Sequence, residues 1–377
     1  MTTAGWQDAG NLLCIRLDYL GDVLMMTPAI RALKQSRPGR RITLMTSPGG
    51  AAVARYIPDV DAVITYPAPW LKSSEPHSPD VDLAMAQTLR TAGFDGAVIF
   101  TTYSQSALPA AMLCYLAGIP LRLAHCRENP YQLLTDWIPD PEPHRQVRHE
   151  VRRQLDLVDT IGCRIDDERL SMRVPTEDRA AVCRLLQSMG IDESRPWMIL
   201  HPGATAASRR YPPHLWRETA KLLSQRLACP LIFTGSQQEI PLVDEIRHDV
   251  PHTISLAGKL GLGELTALIS MAPVLIANNT GPAHIGAAVG TPVVDLYALT
   301  NPQHTPWLVP SRVLFHDVPC RNCYKSVCPE GHHACLAQVP PLRVADAAIE
   351  LLQERMTTTG MSPPRTSPVH DATSAAL

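Results

Sequence analysis

Three clusters of residues in this chain have the types and spacing that chemistry requires. In the first, an apolar run at 274–277 ends at Asn278-Asn279-Thr280-Gly281-Pro282, and a helix of small residues follows. Pro282 suits the first helical position, Asn279 or Thr280 can cap the exposed amides, and Gly281 lets a ligand approach the backbone. Amides that point outward with the positive end of the helix dipole suit a phosphate or diphosphate, and an ordinary strand-to-helix turn is the other reading. In the second cluster, His201-Pro202-Gly203-Ala204-Thr205 follows a strand at 197–200 and leads to Arg209-Arg210. A glycine turn with paired arginines behind it again fits phosphate oxygens. In the third, Asp18 and Asp22 flank Gly21 where a short strand at 12–17 passes into an amphipathic stretch at 23–34. That junction is the rim on which open parallel sheets place their ligands.

The elements that must position these clusters are legible from periodicity. Strand-like runs fall at 12–17, 41–45, 97–100, 198–200, 231–233, 274–277 and 293–296, and they alternate with helical patterns that include 27–35, 147–161, 176–189 and 213–227. Such alternation predicts parallel sheets covered by helices, an α/β fold. The chain is expected to divide into a first domain at 1–175 and a second at 176–356, with a disordered Thr-, Ser- and Pro-rich tail at 357–377.

Composition narrows the class. The chain has 377 residues, of which 45% are hydrophobic and 19% charged, enough for two domains that each have a core. A formal net charge of −2 and a pI near 6.7 argue against a nucleic-acid partner. The N-terminal residues lack a basic segment followed by an apolar one, so no signal peptide is expected. Two long uncharged stretches, 96–121 and 265–294, are broken by prolines, glycines and polar side chains and read as strand–turn–helix, not as membrane spans. The expected location is cytoplasmic, with peripheral contact at the inner face of a membrane.

Taken in order, Arg16-Leu-Asp-Tyr-Leu-Gly-Asp22-Val-Leu-Met-Met-Thr-Pro28-Ala, His201-Pro-Gly-Ala, Arg209-Arg-Tyr-Pro212 and Asn279-Thr-Gly-Pro-Ala-His284 resemble glycosyltransferase family 9, the ADP-heptose:lipopolysaccharide heptosyltransferases and their relatives. The resemblance spans roughly residues 11–355. It implies a GT-B fold, two Rossmann-like domains with parallel sheets facing across a cleft. The first domain would bind the acceptor, and the second would bind the nucleotide sugar. It also implies inverting transfer from an ADP-sugar without a required metal cofactor, to a glycolipid or lipopolysaccharide-core acceptor. Asp22 matches the family's catalytic aspartate and is the expected general base, with a helix cap as its structural alternative. Asp18 lines the same rim. Arg209, where the family usually has lysine, would neutralise the diphosphate, with Arg210 as the alternative. Thr205, Thr280 and Gly281 would offer donors, and Glu239 would hold a ribose hydroxyl or stand as a solvated first-turn residue. His284 would reach the phosphates or be satisfied in the helix–sheet interface. Thr300 and His304 are further ligand candidates. Many heptosyltransferases have an aspartate where this chain has Asn279, which leaves another nucleotide sugar or a non-lipid acceptor open.

Ten cysteines fall into two groups. Cys14, Cys114, Cys126, Cys163, Cys183 and Cys229 are scattered and read as small core residues. Cys320, Cys323, Cys328 and Cys335 form Cys-x2-Cys-x4-Cys-x6-Cys inside a loop at 319–336, which fits a structural zinc site, free thiols or a disulfide, or an iron–sulfur centre. A metal- or redox-sensing protein centred on this loop is the reading from a different functional class. Arg122, Arg127, Arg145, Arg148, Arg152 and Arg153 concentrate late in the first domain. They suit an acidic acceptor, or form the solvated side of a helix whose apolar face is Val147, Val151, Leu155 and Val158.

Overall fold

The computed structural model describes residues 3–71, 77–227 and 229–359. The chain divides into two compact units. One is the chain up to Arg173 together with Pro302–Leu308, and the other is Val174–Asn301 with the chain from Val309 onward. The segment Pro302–Leu308, expected to lie with the second domain, therefore belongs to the first unit.

Each unit is built on a six-stranded, wholly parallel sheet. The first contains β1 (Asn11–Arg16), β2 (Arg41–Thr46), β3 (Ala62–Thr65), β4 (Gly96–Ile99), β5 (Leu121–Cys126) and β6 (Asp136–Pro139), in the order β3-β2-β1-β4-β5-β6. The second contains β7 (Met198–His201), β8 (Leu231–Phe233), β9 (Thr253–Ser255), β10 (Val274–Asn278), β11 (Val293–Leu296) and β12 (Ser311–Leu314), in the order β12-β11-β10-β7-β8-β9. The two orders are the same winding read from opposite edges. In each sheet the winding reverses once, between β1 and β4 in the first and between β7 and β10 in the second. The crevice outside the carboxyl ends of such a strand pair is where open α/β sheets take their ligands.

The central strands are apolar because helices cover both faces of the sheet. Leu12, Leu13, Cys14 and Ile15 are at most 1% exposed, and Met198–Leu200 and Val274–Ala277 are fully buried. Burying one such side chain stabilises by about 1.5–3 kcal/mol. Trp216 from helix Pro213–Arg226 and Leu351 and Leu352 from helix Pro341–Thr359 close over the second sheet. Helix Gly281–Val289 lies close to its sheet because Gly286 has no side chain: a Cβ there would meet Val293 at 2.9 Å.

Five strands lie outside the expected runs: β3, β5, β6, β9 and β12. Four of them are short, with exposed or half-buried positions that interrupt any apolar run, and β5 has Arg122 and His125 within it. The helix expected over 147–161 begins only at Glu150, because His149 caps it by accepting the Val151 N–H through Nδ1 at 3.2 Å. Among the described residues, no helix is long and apolar enough to cross a membrane. Residues 357–359, expected to begin the tail, complete the last helix, and the rest of that expectation lies outside the described residues.

Candidate functional site

Arg16, the last residue of β1, organises the rim of the first sheet. Its guanidinium is completely buried. Nε meets Asp18 at 2.7 Å, Nη2 meets Asp22 at 3.2 Å and Nη1 meets Glu150 at 2.6 Å. Burial alone would favour loss of its proton, but Asp18, Glu150 and Asp22 outweigh that and hold its pKa above the ordinary value. Burial pushes the Asp18 carboxyl up against the opposing pull of Arg16, and the nearby Asp22 charge adds to the rise. Asp18 also accepts a hydrogen bond from Gln105 Nε2 at 2.6 Å. Asp22 stands in the first turn of helix Leu20–Met25, whose cap position is Tyr19, so Asp22 is not the cap. Its side chain is 21% exposed, so it is not sealed from solvent.

Glu150 is held from two sides. Its second partner is Gln154 Nε2 at 2.6 Å, and its backbone N–H donates to Gln303 O at 3.0 Å in the Pro302–Leu308 segment. That segment also seats Thr305 O on His149 Nε2 at 2.9 Å, and Trp307 packs over the His149 ring with centroids 4.5 Å apart. Burial lowers the His149 pKa to about 4. His304, on the same segment, is buried near enough to Asp18 for its charge to lower the Asp18 pKa, so it joins the first unit's site.

In the second unit, the turn after β10 is tied to the turn after β7. Asn278 accepts the Tyr211 N–H at 3.1 Å and donates to Pro202 O at 2.7 Å. Asn279 Nδ2 donates to Asp295 Oδ2 at 2.9 Å, and both side chains are buried. Thr280 occupies the cap position of helix Gly281–Val289, but its hydroxyl donates to Asn278 O at 3.2 Å and makes no capping bond. Thr280 therefore does not supply the expected side-chain cap, and first-turn amides are groups that a helix cannot satisfy internally. His284 is 5% exposed, buried within its helix–sheet layer.

Glu239 packs against the backbone of Gly203. A Cβ at Gly203 would lie 2.1 Å from Glu239 Oε1, which explains the glycine after His201-Pro202. One Glu239 oxygen accepts the Ser236 N–H at 2.7 Å in a capping box, so the residue is half-buried and structurally engaged. Burial lowers the His201 pKa to about 4, opposed by Glu239, and His201 Nδ1 pairs with the Thr234 hydroxyl at 2.9 Å.

Arg209 and Arg210 separate clearly. Arg210 donates to Ala204 O at 2.8 Å and to Thr205 O at 3.5 Å, which ties it to the exposed turn. Among the described residues no such bond ties down Arg209, which borders a cavity of about 170 Å³ together with Thr300, Tyr324 and Lys325. The cysteine-rich loop builds one wall of that cavity. Ser208 donates to Lys325 O and Ser326 O, and the Asn322 and Tyr324 amides donate to Leu299 O and Thr300 O. Sequence reasoning missed Lys325, Asp295, Glu150 and the role of Arg16. The available signal was a charge inside an apolar strand, as in Val293-Val294-Asp295-Leu296 and Leu13-Cys14-Ile15-Arg16.

Arg122, expected at the acceptor, is instead a buried staple. Its guanidinium donates to the carbonyls of Leu133, Gln132 and Ile119. Arg148 is paired to Glu142 and Asp156, Arg152 to Glu168, and Arg153 to Asp140 and Glu142. These four arginines are engaged within the first unit, whereas Arg127 and Arg145 of the same group are exposed. Five of the six scattered cysteines are buried, and burial lifts Cys14, Cys114 and Cys229 to about 12; Cys183 is half-buried. Cys320, Cys323, Cys328 and Cys335 are half-buried free thiols, with Cys320 Sγ 3.8 Å from His332 Nε2. Among the described residues, no group of three His, Cys, Asp or Glu side chains is arranged as a metal site.

Residues 83–334 match the profile of glycosyltransferase family 9 (heptosyltransferase). Lipooligosaccharide heptosyltransferase 2 of Haemophilus ducreyi is 24% identical over 360 residues, 91% of this chain and 99% of its own. Lipopolysaccharide heptosyltransferase 2 of Escherichia coli K12 is 25% identical over 359 residues, 91% and 98% of the two chains. Among solved structures, the family 9 glycosyl transferase of Veillonella parvula matches with a TM-score of 0.77 at 22% identity, over 92% of this chain and 98% of that one. The E. coli ADP-heptose heptosyltransferase II matches with a TM-score of 0.70 at 23% identity, over 91% and 99%. The structural likenesses carry a two-domain α/β architecture of the GT-B type, and the profile spans well over half of the sequence. The chain therefore belongs to glycosyltransferase family 9, the heptosyltransferase family.

Proposed function

We propose that the protein moves a heptose from ADP-heptose to a hydroxyl of a lipopolysaccharide-core or related cell-envelope glycan, with inversion at the anomeric carbon. The observation that carries the reading is the Asp22 carboxylate, paired to buried Arg16 yet partly exposed on the rim of the first sheet. In the reaction, the acceptor oxygen bonds to the anomeric carbon as the bond from that carbon to the diphosphate oxygen breaks. Asp22 takes the hydroxyl proton, and ADP leaves with the electron pair. The names of the relatives support both substrates: ADP-heptose stands in that of the E. coli structure and lipopolysaccharide in that of its sequence relative.

The diphosphate is assigned to the amino end of helix Gly281–Val289, with donors from Thr280 and Gly281 and with Arg209 and Lys325 as cations. Glu239 and Thr205 flank the nucleotide, and Asn279 and His284 shape the turn. Charge on the leaving group is stabilised by these fixed donors and by the helix dipole, so the scheme requires no metal. A glycolipid acceptor brings the protein to the inner face of the membrane. A different nucleotide sugar is the second reading, favoured by the engagement of the Asn279 amide with Asp295.

The test is transfer from ADP-heptose to heptose-deficient lipopolysaccharide. Product is expected with or without a chelator. Asp22→Asn is expected to lower kcat by about 10²–10⁴-fold with ADP affinity intact. An Asp22→Asn enzyme with the wild-type kcat would sink the assignment, and competition by UDP or GDP in place of ADP would move it to the second reading.

A further inference from the structure

Glu150 is the most deeply buried of the three carboxylates on Arg16. Its side chain is 0% exposed, against 16% for Asp18 and 21% for Asp22. It stands in the first turn of helix Glu150–Asp159, where the helix dipole favours a negative charge. Its Oε1 meets Arg16 Nη1 at 2.6 Å and accepts from Gln154 Nε2 at 2.6 Å, and its backbone N–H is anchored on Gln303 O. The contact of Arg16 Nη2 with Asp22 is looser, at 3.2 Å. The guanidinium is therefore clamped at one end and meets the rim with the other.

Neutrality does not ask for this third acid. His304 is a further basic group on the Asp18 side, and even with it charged, Asp18 and Asp22 balance the two bases. Glu150 is then the surplus. A buried carboxylate is costly to desolvate, and a glutamine of the same shape would accept the same Arg16 bond without that cost. What the acid adds is charge. Set on the far side of the guanidinium, it weakens the positive field at Asp22. A carboxylate beside an uncompensated arginine is held in its charged form and accepts a proton poorly. The other charges around the cluster are engaged. Helix Pro48–Ala54, packed on the helix of Asp22, has no titratable side chain. On helix Thr27–Gln35, Arg31 pairs with Asp59 and Asp167, and Lys34 with Asp61. On the helix of Glu150, Arg152 pairs with Glu168, Arg153 with Asp140 and Glu142, Asp156 with Arg148 and Asp159 with Arg164. His149, just before it, is kept neutral by burial.

We propose that Glu150 is a positioning residue that acts on Asp22 through Arg16. It fixes one end of the guanidinium and takes up part of its charge, so that Asp22 is oriented by the other end and stays free to receive a proton. The consequence for transfer rests on the reading of Asp22 as general base. The coupling of the two carboxylates rests on the ion pairs alone.

The experiment follows the side-chain carboxyl of Asp22 by NMR of the full-length protein across a pH series, with Asp22→Asn to assign the signal. Glu150→Gln is expected to move the Asp22 midpoint down by about one pH unit. Glu150→Asp keeps the acid but withdraws it by one methylene, so a smaller downward shift is expected. Asp140→Asn, which loosens the buried Arg153 pair in the same unit, is expected to leave the midpoint in place. In an Arg16→Lys background, where an ammonium has no fork to span both acids, Glu150→Gln is expected to move the midpoint less. In transfer from ADP-heptose to heptose-deficient lipopolysaccharide, Glu150→Gln is expected to lower kcat about tenfold with KM unchanged, and to move the acid limb of the pH profile downward. An unmoved or raised midpoint in Glu150→Gln would overturn the proposal, and a shift of equal size in the Arg16→Lys background would overturn the route through Arg16. Should Glu150→Gln fail to fold, an unmoved midpoint in Glu150→Asp overturns it instead. A lowered midpoint together with wild-type transfer by Asp22→Asn supports the coupling and sinks the general-base reading alone.

Discussion

Asn279 Nδ2 donates to Asp295 Oδ2 at 2.9 Å, and this buried bond makes asparagine the residue that fits at the nucleotide turn. Here an aspartate would place a second carboxylate against Asp295, which burial has already raised to about 8 despite Asn279 and Arg209. Two carboxylates in that space cannot both ionise. Asn279 and Asp295 therefore form one unit, an amide in front and an acid behind.

Asn279→Asp is accordingly expected to cost about 1–3 kcal/mol, the penalty of a buried polar group without its partner. Urea unfolding at neutral pH measures it. Adding Asp295→Asn restores an acid–amide pair with the roles exchanged, and the double variant is expected to recover most of the loss. A double variant as unstable as the sum of the single ones would refute the coupling.

The same acid predicts a pH dependence. A carboxylate titrates near 3.9 in the unfolded chain, and Asp295 titrates at about 8 in the folded one. Between those values the native state binds a proton that the unfolded state does not, so this group lowers stability as pH rises from about 4 to about 8. Asp295→Asn removes that slope. The melting temperature of the variant relative to wild type is expected to climb across this window, and a pH-independent difference would contradict it. Buried His149 and His201, both lowered to about 4, act with the opposite sign, since stability rises as the unfolded chain loses its imidazole protons near 6.5. Comparing variant with wild type cancels them.

Arg16 joins three carboxylates, and its removal leaves Asp18, Asp22 and Glu150 uncompensated in a largely buried place. Arg16→Ala is expected to lose about 3–5 kcal/mol in chemical denaturation, the range for a broken buried ion pair. Arg16→Lys keeps the charge but has no planar fork to meet three partners, so a smaller loss in stability is expected. Equal losses in the two variants would show that geometry, not charge, dominates.

Arg209 and Arg210 are adjacent and are predicted to behave differently. ADP at about a hundred times its Kd stabilises a protein by about 2.7 kcal/mol. Arg209→Ala is expected to abolish the resulting thermal shift. Arg210→Ala is expected to keep it, because that guanidinium is engaged with the Ala204 and Thr205 carbonyls. Loss of the shift in both variants would assign the diphosphate to the pair.

Much of the architecture was legible in the sequence, because strands buried on both faces are written as unbroken apolar runs. All seven runs are strands. The five that escaped notice are mostly short or at sheet edges, where one side meets solvent and the pattern thins. β5 escaped for another reason: Arg122 looks like a surface residue until its carbonyl partners are known. The Asp22 and Arg209 clusters were visible as motifs. Their partners were not, since Glu150 is 134 residues from Arg16 and nothing local links them. Asp295 was readable only as an anomaly, an acid inside an apolar strand, and spacing alone gives such a residue no role.

The placement of Pro302–Leu308 bears on how the protein can be dissected. A fragment cut near residue 173 would lack the segment that seats Thr305 on His149 and Gln303 on Glu150. It would therefore present an open slot beside the cluster that holds Asp22. The complementary fragment would carry the missing piece as an unanchored loop. Neither half is a faithful miniature of its part of the enzyme, and mixing the two offers a route to reassembly by fragment complementation.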